Sequence, residues 1–278
     1  MLMNVFNMGF GESILLQKDR ESLLVDCGSK RKDNVESQIE WIWSGMNDSK
    51  SISFMLTHFH EDHFNHFEAL VHHSGRKADV LYLPWINFDK KRVDLCDIAI
   101  YLYLLYIKPA ANVSFLLSNQ IIFICECVEL DGLVYALRQG DFFQHSNTEM
   151  EVLWPKEIEL KKVLKFNHVM TGDVPRRIVD KYLYRDYFKN NFYKYMKCPH
   201  HGTSTYYTVR LPKSCNLIIS NGQYGNYQSI SEHYFNHPWL YGRRYCTNNH
   251  CEVCKNGNPC MLHHCGIERF FSLNIPDL

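Results

Sequence analysis

The sequence predicts an α/β fold, with one large domain over residues 1–238 and a small Cys/His-rich C-terminal appendage over residues 239–278. Three observations predict it. Apolar segments of strand length recur at residues 51–57, 80–83 and 121–125, and an apolar run of helical character lies among them at residues 98–107. The chain of 278 residues is 46% hydrophobic, enough for one large core and a modest addition. Near residue 240 the composition shifts to Cys, His, Asn and Gly, and no repeat, low-complexity tract or long linker divides the rest.

The stretch Ser51-Ile52-Ser53-Phe54-Met55-Leu56-Thr57 reads as a mostly apolar buried strand. It delivers His58-Phe59-His60-Glu61-Asp62-His63 to a sheet edge, so three imidazoles and a carboxylate begin where a strand ends. Imidazole nitrogen and carboxylate oxygen suit a borderline divalent ion such as zinc, and manganese or iron tolerates the same set. His58 and His60, two apart, can chelate one ion. Asp62 and His63 project to the other side of the turn and can reach a second ion about 3.5–4 Å away. Two cations sharing a water lower its pKa toward neutrality, so hydroxide bound to metal becomes available as a nucleophile.

This loop resembles the H-x-H-x-D-H signature of the metallo-β-lactamase superfamily, matched by His58, His60, Asp62 and His63. Residues 4–16 and then 23–28 look like the paired opening strands of that fold, with Asp26 at the family's early aspartate. The resemblance implies that Asp26 supports the metal loop by orienting a ligating histidine. Thr171-Gly172-Asp173 resembles the family's T-G-D element and makes Asp173 the implied bridging ligand. Pro199-His200-His201-Gly202 looks like the P-H-H-G segment of the hydrolase domain in ComEC-type DNA-uptake channel proteins. One of His200 and His201 is then an implied ligand, and its neighbour can donate to an oxyanion or protonate a leaving group. The order of motifs follows that domain over about residues 1–235, and implies a four-layer αββα sandwich.

Two departures stand out. Superfamily members often carry a further histidine upstream of the bridging aspartate; the candidates are His145 and His168, and each reads better as an ordinary surface or packed histidine. The interval from Pro155 to Thr171 is short and charged where relatives run another strand pair.

The resemblance and the ligand set together imply a dinuclear metal-dependent hydrolase, a phosphodiesterase or nuclease acting on DNA or RNA. Hydrolysis of a smaller phosphoester, of nucleotide or phosphorylcholine type, is the alternative within enzymes, and a non-catalytic, metal-stabilised interaction module is the alternative outside them. With 30 Lys plus Arg against 30 Asp plus Glu there is no global basic field. Local basic groups exist at Lys30-Arg31-Lys32, Lys90-Lys91-Arg92, Arg176-Arg177 and Arg243-Arg244, the last two with tyrosines nearby. A nuclease that resides in the cell requires restraint, so a regulatory protein partner is also expected.

The apolar run at residues 98–107 is ten residues long, short of the ~20 that span a bilayer. No secretory pattern opens the chain, and eleven cysteines, an odd number, argue for thiols in a cytoplasmic protein. In the appendage, Cys246, Cys251, Cys254, Cys260 and Cys265 interleave with His263 and His264. The Cys251-x-x-Cys254 pair has the bite of a structural zinc knuckle, and Cys260 with His263, His264 or Cys265 can complete four ligands.

Overall fold

Strands β1 (Leu2–Phe6), β2 (Gly11–Lys18) and β3 (Glu21–Ser29) open the chain, followed by helix α1 (Val35–Met46), strand β4 (Ser51–Met55) and helices α2 (Glu61–Phe64) and α3 (Phe67–Ser74). Then come β5 (Ala78–Pro84), β6 (Arg92–Val93), β7 (Val128–Leu137), β8 (Phe142–His145), β9 (Thr148–Glu151) and β10 (His168–Val169). The last strands are β11 (Tyr195–Lys197), β12 (Asn216–Ile219), β13 (Arg244–Cys246) and β14 (Phe270–Asn274). This computed structural model describes residues 1–30, 33–58, 60–84, 92–93, 127–138, 140–152, 168–169, 179–189, 193–203, 211–212, 216–220, 230–231, 234, 244–247 and 270–274.

Among the described residues the strands form a mixed eight-stranded sheet in the order β14-β1-β2-β3-β4-β5-β7-β6, a parallel four-stranded sheet β10-β11-β12-β13, and the hairpin β8-β9. The chain is thus mixed α/β, with a large sheet and few helices. Side-chain alternation explains how the layers meet. In β2, Ile14 and Leu16 face one way and Leu15 the other; in β3, Leu23 and Val25 oppose Leu24. Leu15 and Leu24 pack with Phe54 against Ile39, Ile42 and Met46 of α1 and Phe67 and Leu70 of α3. These helical positions recur at spacings of three and four, the stripe an amphipathic helix lays on a sheet. On the opposite face, Ile14, Leu16, Leu23 and Val25 meet Tyr195, Ile218 and Tyr245 of the smaller sheet. Helices, large sheet and small sheet therefore stack in that order, and each buried aliphatic or aromatic side chain contributes roughly 1.5–3 kcal/mol.

Residues 4–16 are parts of two strands rather than one, because Gly9 donates its N–H to Asn7 Oδ1 (3.1 Å) and turns at φ 67° between β1 and β2. The stretch after residue 238 contributes a strand to each sheet: Arg244–Cys246 pairs with β12 in the small sheet, and Phe270–Asn274 pairs with β1 in the large one. Its Cys/His-rich middle dominates the composition and hides two short strand signals. The apolar runs at residues 98–107 and 121–125 lie outside the described residues, as do Thr171, Gly172 and Asp173. Among the described residues no helix is long and apolar enough to cross a membrane.

One buried ion pair joins the two sheets. Glu12 on β2 and Lys197 on β11 are 2% and 1% exposed and contact each other directly. Burial pushes the Glu12 carboxyl up, and the Lys197 ammonium opposes that shift. Such a pair is weak grounds for net stability, but removing one partner strands a charge in the core. We expect Lys197→Met to cost about 3–5 kcal/mol in urea unfolding, and Glu12→Leu combined with it to recover a large part.

Candidate metal centre

The centre is built on an irregularity in β3. Ser13 pairs with Cys27 and Ile14 with Val25, so Asp26 is the extra residue of a β-bulge. Its φ of 55° lies in the left-handed region, which Asp tolerates better than most residues. The bulge aims the carboxylate at the loop that follows β4. Asp26 Oδ1 accepts the Thr57 N–H (2.8 Å), and Oδ2 accepts the Thr57 hydroxyl (2.6 Å) and His63 Nδ1 (2.8 Å). Because a carboxylate only accepts, His63 carries its proton on Nδ1 and presents Nε2 with a lone pair.

The loop is fastened to β3 at its far end too. Asn65 accepts from the Ser29 N–H (3.0 Å) and donates to the Ser29 carbonyl (2.8 Å), while the His66 N–H donates to the Cys27 carbonyl (2.9 Å). Gly28 makes this close approach possible: a Cβ there would lie 2.6 Å from the Asp62 carbonyl carbon and 2.8 Å from Asn65 Oδ1. Asp62 and His63 are thereby buried at 2% and 0% exposure. The His58 ring centroid lies 4.0 Å from that of His63, tilted against it, and 4.4 Å from that of His60, edge-on to it. His58 Nδ1 lies 3.1 Å from the Thr57 hydroxyl.

The small sheet supplies the opposite wall. After β11 the chain turns through His200 (φ 45°), His201 (φ 56°) and Gly202 (φ 73°), three successive left-handed residues. Two of them are not glycine, at a cost of about 1–3 kcal/mol each. The turn is held because the His200 carbonyl accepts from Thr203 N–H and hydroxyl (both 3.1 Å), and the Gly202 carbonyl accepts from Ser231 N–H (2.9 Å). His201 Nδ1 donates to the Ser220 carbonyl (2.9 Å), and the Ser220 hydroxyl donates to the Gly11 carbonyl (3.1 Å). His201 is therefore oriented from its back, as His63 is.

Asp62, His63 and His201 converge, with one ligand atom from each lying within 4.8 Å of the others. His201 Nε2 is 3.4 Å from Asp62 Oδ2. With the His201 proton on Nδ1, that gap separates two acceptors; a proton on Nε2 closes it as a hydrogen bond, and a divalent cation closes it with two ligand bonds. Burial pushes the Asp62 carboxyl up, but in the state with both imidazoles protonated the hydrogen bond from His201 and the charges of His63, His201 and Lys30 outweigh it and hold it at about 2. Imidazole nitrogens with fixed tautomers beside an ionised, buried carboxylate fit zinc or manganese.

Of the residues singled out by sequence, the structure brings His58, His60, Asp62, His63 and His201 together, with Asp26 behind them. His201 faces Asp62, while His200, its ring 5.7 Å away, is half-buried beside it. His145 is buried at the end of β8, where it bonds to the Leu16 backbone. His145 is not among the described residues whose ligand atoms converge with Asp62, His63 and His201. His168 pairs in register with Tyr195, near the start of β11. Cys246 is fully buried in the small sheet, opposite Ile219, rather than in the tail. Asp173, Cys251, Cys254, Cys260, His263, His264 and Cys265 lie outside the described residues. Sequence reasoning passed over Gly28, Asn65, Ser220, Glu12 and Lys197. Gly28 carried a usable signal, standing two residues after the key aspartate.

No protein-family model matches the chain, and no curated protein or solved structure does.

Two outcomes are expected. Asp26→Asn keeps the shape but offers His63 Nδ1 an amide in place of a charged acceptor, and should weaken zinc binding about 10–100-fold in a chelator competition. Burial alone pushes the His66 ring down to about 4. A folded value below the unfolded one means that stability is full above about pH 6.5 and is lost as pH falls toward 4. The loss should be on the order of 3 kcal/mol, and His66→Gln should flatten that part of the pH profile of urea unfolding.

Proposed function

We propose that this protein is a divalent-metal-dependent hydrolase with a metallo-β-lactamase-like αββα sandwich, and that it cleaves phosphodiesters, nucleic acid among them. The observation that carries the reading is the convergence of Asp62 and His63 from one sheet with His201 from the other, their ligand atoms within 4.8 Å. Resemblance of the H-x-H-x-D-H and P-H-H-G stretches, which contain those same residues, to that superfamily supports it. Fold alone does not fix substrate, so the choice of phosphodiester rests on the ComEC-like motif order and on the cationic Lys30 beside the centre.

In this reading His58 and His60 would hold one cation and Asp62, His63 and His201 a second, with Asp173, which lies outside the described residues, as a further ligand. Bound cations supply an acidified water and offset charge on the attacked centre. The residues of the chain do the rest. Asp26 and the Ser220 carbonyl fix the tautomers and directions of His63 and His201. His200, half-buried beside His201, would deliver a proton to a leaving oxygen.

The test is cleavage of labelled single- and double-stranded DNA and of bis-p-nitrophenyl phosphate with Zn²⁺ or Mn²⁺. We expect wild type to cut, Asp62→Ala to fall to background, and His200→Ala to lose activity while keeping its metal. Cleavage of the small diester alone would move the substrate to a smaller phosphoester, and an active Asp62→Ala protein would contradict the assignment.

A further inference from the structure

Lys30 stands just beyond the end of β3, at the solvent edge of the centre. Its side chain is 37% exposed, against 2% for the Asp62 side chain beside it. The backbone fixes its origin, since the Lys30 N–H donates to the Phe10 carbonyl (2.8 Å). The Phe10 ring fixes its direction: the ammonium lies 5.1 Å from that ring's centroid, and the same ring packs 4.5 Å from the His201 ring. A single buried phenyl group thus spaces a cation from a candidate ligand.

The ammonium lies 3.8 Å from Asp62 Oδ1, longer than the 2.7–2.9 Å of a charge-assisted hydrogen bond. Asp62 has closer company in His201 Nε2 (3.4 Å), so Lys30 is placed near the carboxylate without being consumed by it. With a divalent ion on Asp62, the single carboxylate charge leaves the ion and the Lys30 ammonium undercompensated, and a further anion that reaches both is favoured. A phosphoryl group, with two non-bridging oxygens, can do so: one oxygen toward the cation and one toward the ammonium.

We propose that Lys30 is the anion-holding residue of this site, and that it selects substrates carrying a phosphoryl anion over neutral esters. The proposal rests on the hydrolase reading above for its chemistry but makes a separate claim about binding. Because Lys30 is partly exposed, Lys30→Met retains the apolar stem over Phe10 and removes only the charge, and Lys30→Arg restores it.

The experiment uses the full chain loaded with zinc, with metal content measured in each variant. Binding of diethyl phosphate, a diester monoanion, and of triethyl phosphate, its neutral counterpart, is followed by ligand-observed phosphorus NMR. Loss of one charge-assisted contact predicts that Lys30→Met binds diethyl phosphate about ten-fold more weakly, with triethyl phosphate unchanged and Lys30→Arg close to wild type. Equal diethyl phosphate binding by wild type and Lys30→Met, no binding by wild type, or an equal loss for both probes would overturn it. Turnover of bis-p-nitrophenyl phosphate separates the two claims. No turnover with Lys30-dependent binding removes the hydrolase reading and leaves the anion site, whereas turnover with binding independent of Lys30 does the reverse.

Discussion

The Asp26 carboxylate is the constraint on which the centre depends. It is fully buried, and three donors meet it: the Thr57 N–H, the Thr57 hydroxyl and His63 Nδ1. A buried carboxylate without partners would be costly, so the chain is obliged to bring residues 57–63 to it. The bulge at Asp26 makes that geometry available, because a regular strand would alternate the side chain into one of the two hydrophobic faces. Thus one extra residue in β3 turns an apolar ladder into the floor of a polar site.

The second wall follows from sheet packing. Ile14, Leu16, Leu23 and Val25 hold the small sheet against the large one through Tyr195, Ile218 and Tyr245. Glu12 and Lys197 cross the same interface, and Ser220 reaches across to Gly11. These contacts set where the strained turn at His200, His201 and Gly202 arrives. Strain of this kind persists only where surroundings over-determine it, and here the hydrogen bonds of Thr203, Ser231 and Ser220 do so. The energy spent on left-handed histidines is consistent with a site that requires His201 to point at Asp62.

Much of this was legible in the sequence because local spacing carried it. His58, His60, Asp62 and His63 sit within one turn, apolar runs marked residues 51–57 and 80–83 as strands, and resemblance to the superfamily's opening strands marked 23–28. The bulge at Asp26 was not legible, since a bulge is a property of a pair of strands and its sequence signal is a single unremarkable residue. The Glu12–Lys197 pair joins positions far apart in the chain, and no periodicity points from one to the other. That His201 rather than His200 faces Asp62 follows from backbone angles and from the Ser220 carbonyl, neither of which a P-H-H-G motif displays. Cys246 was drawn into the tail by its neighbours in sequence, while β-pairing assigned it to the core.

The central claim is that two sheets jointly hold a divalent ion through Asp62, His63 and His201. Titration of the metal-free protein with Co²⁺, read by its visible d–d absorption, tests it most directly. The account predicts saturable low-symmetry bands in wild type that lose intensity and shift in both His63→Ala and His201→Ala, one variant from each wall. Identical spectra and affinities in wild type and His201→Ala would contradict it.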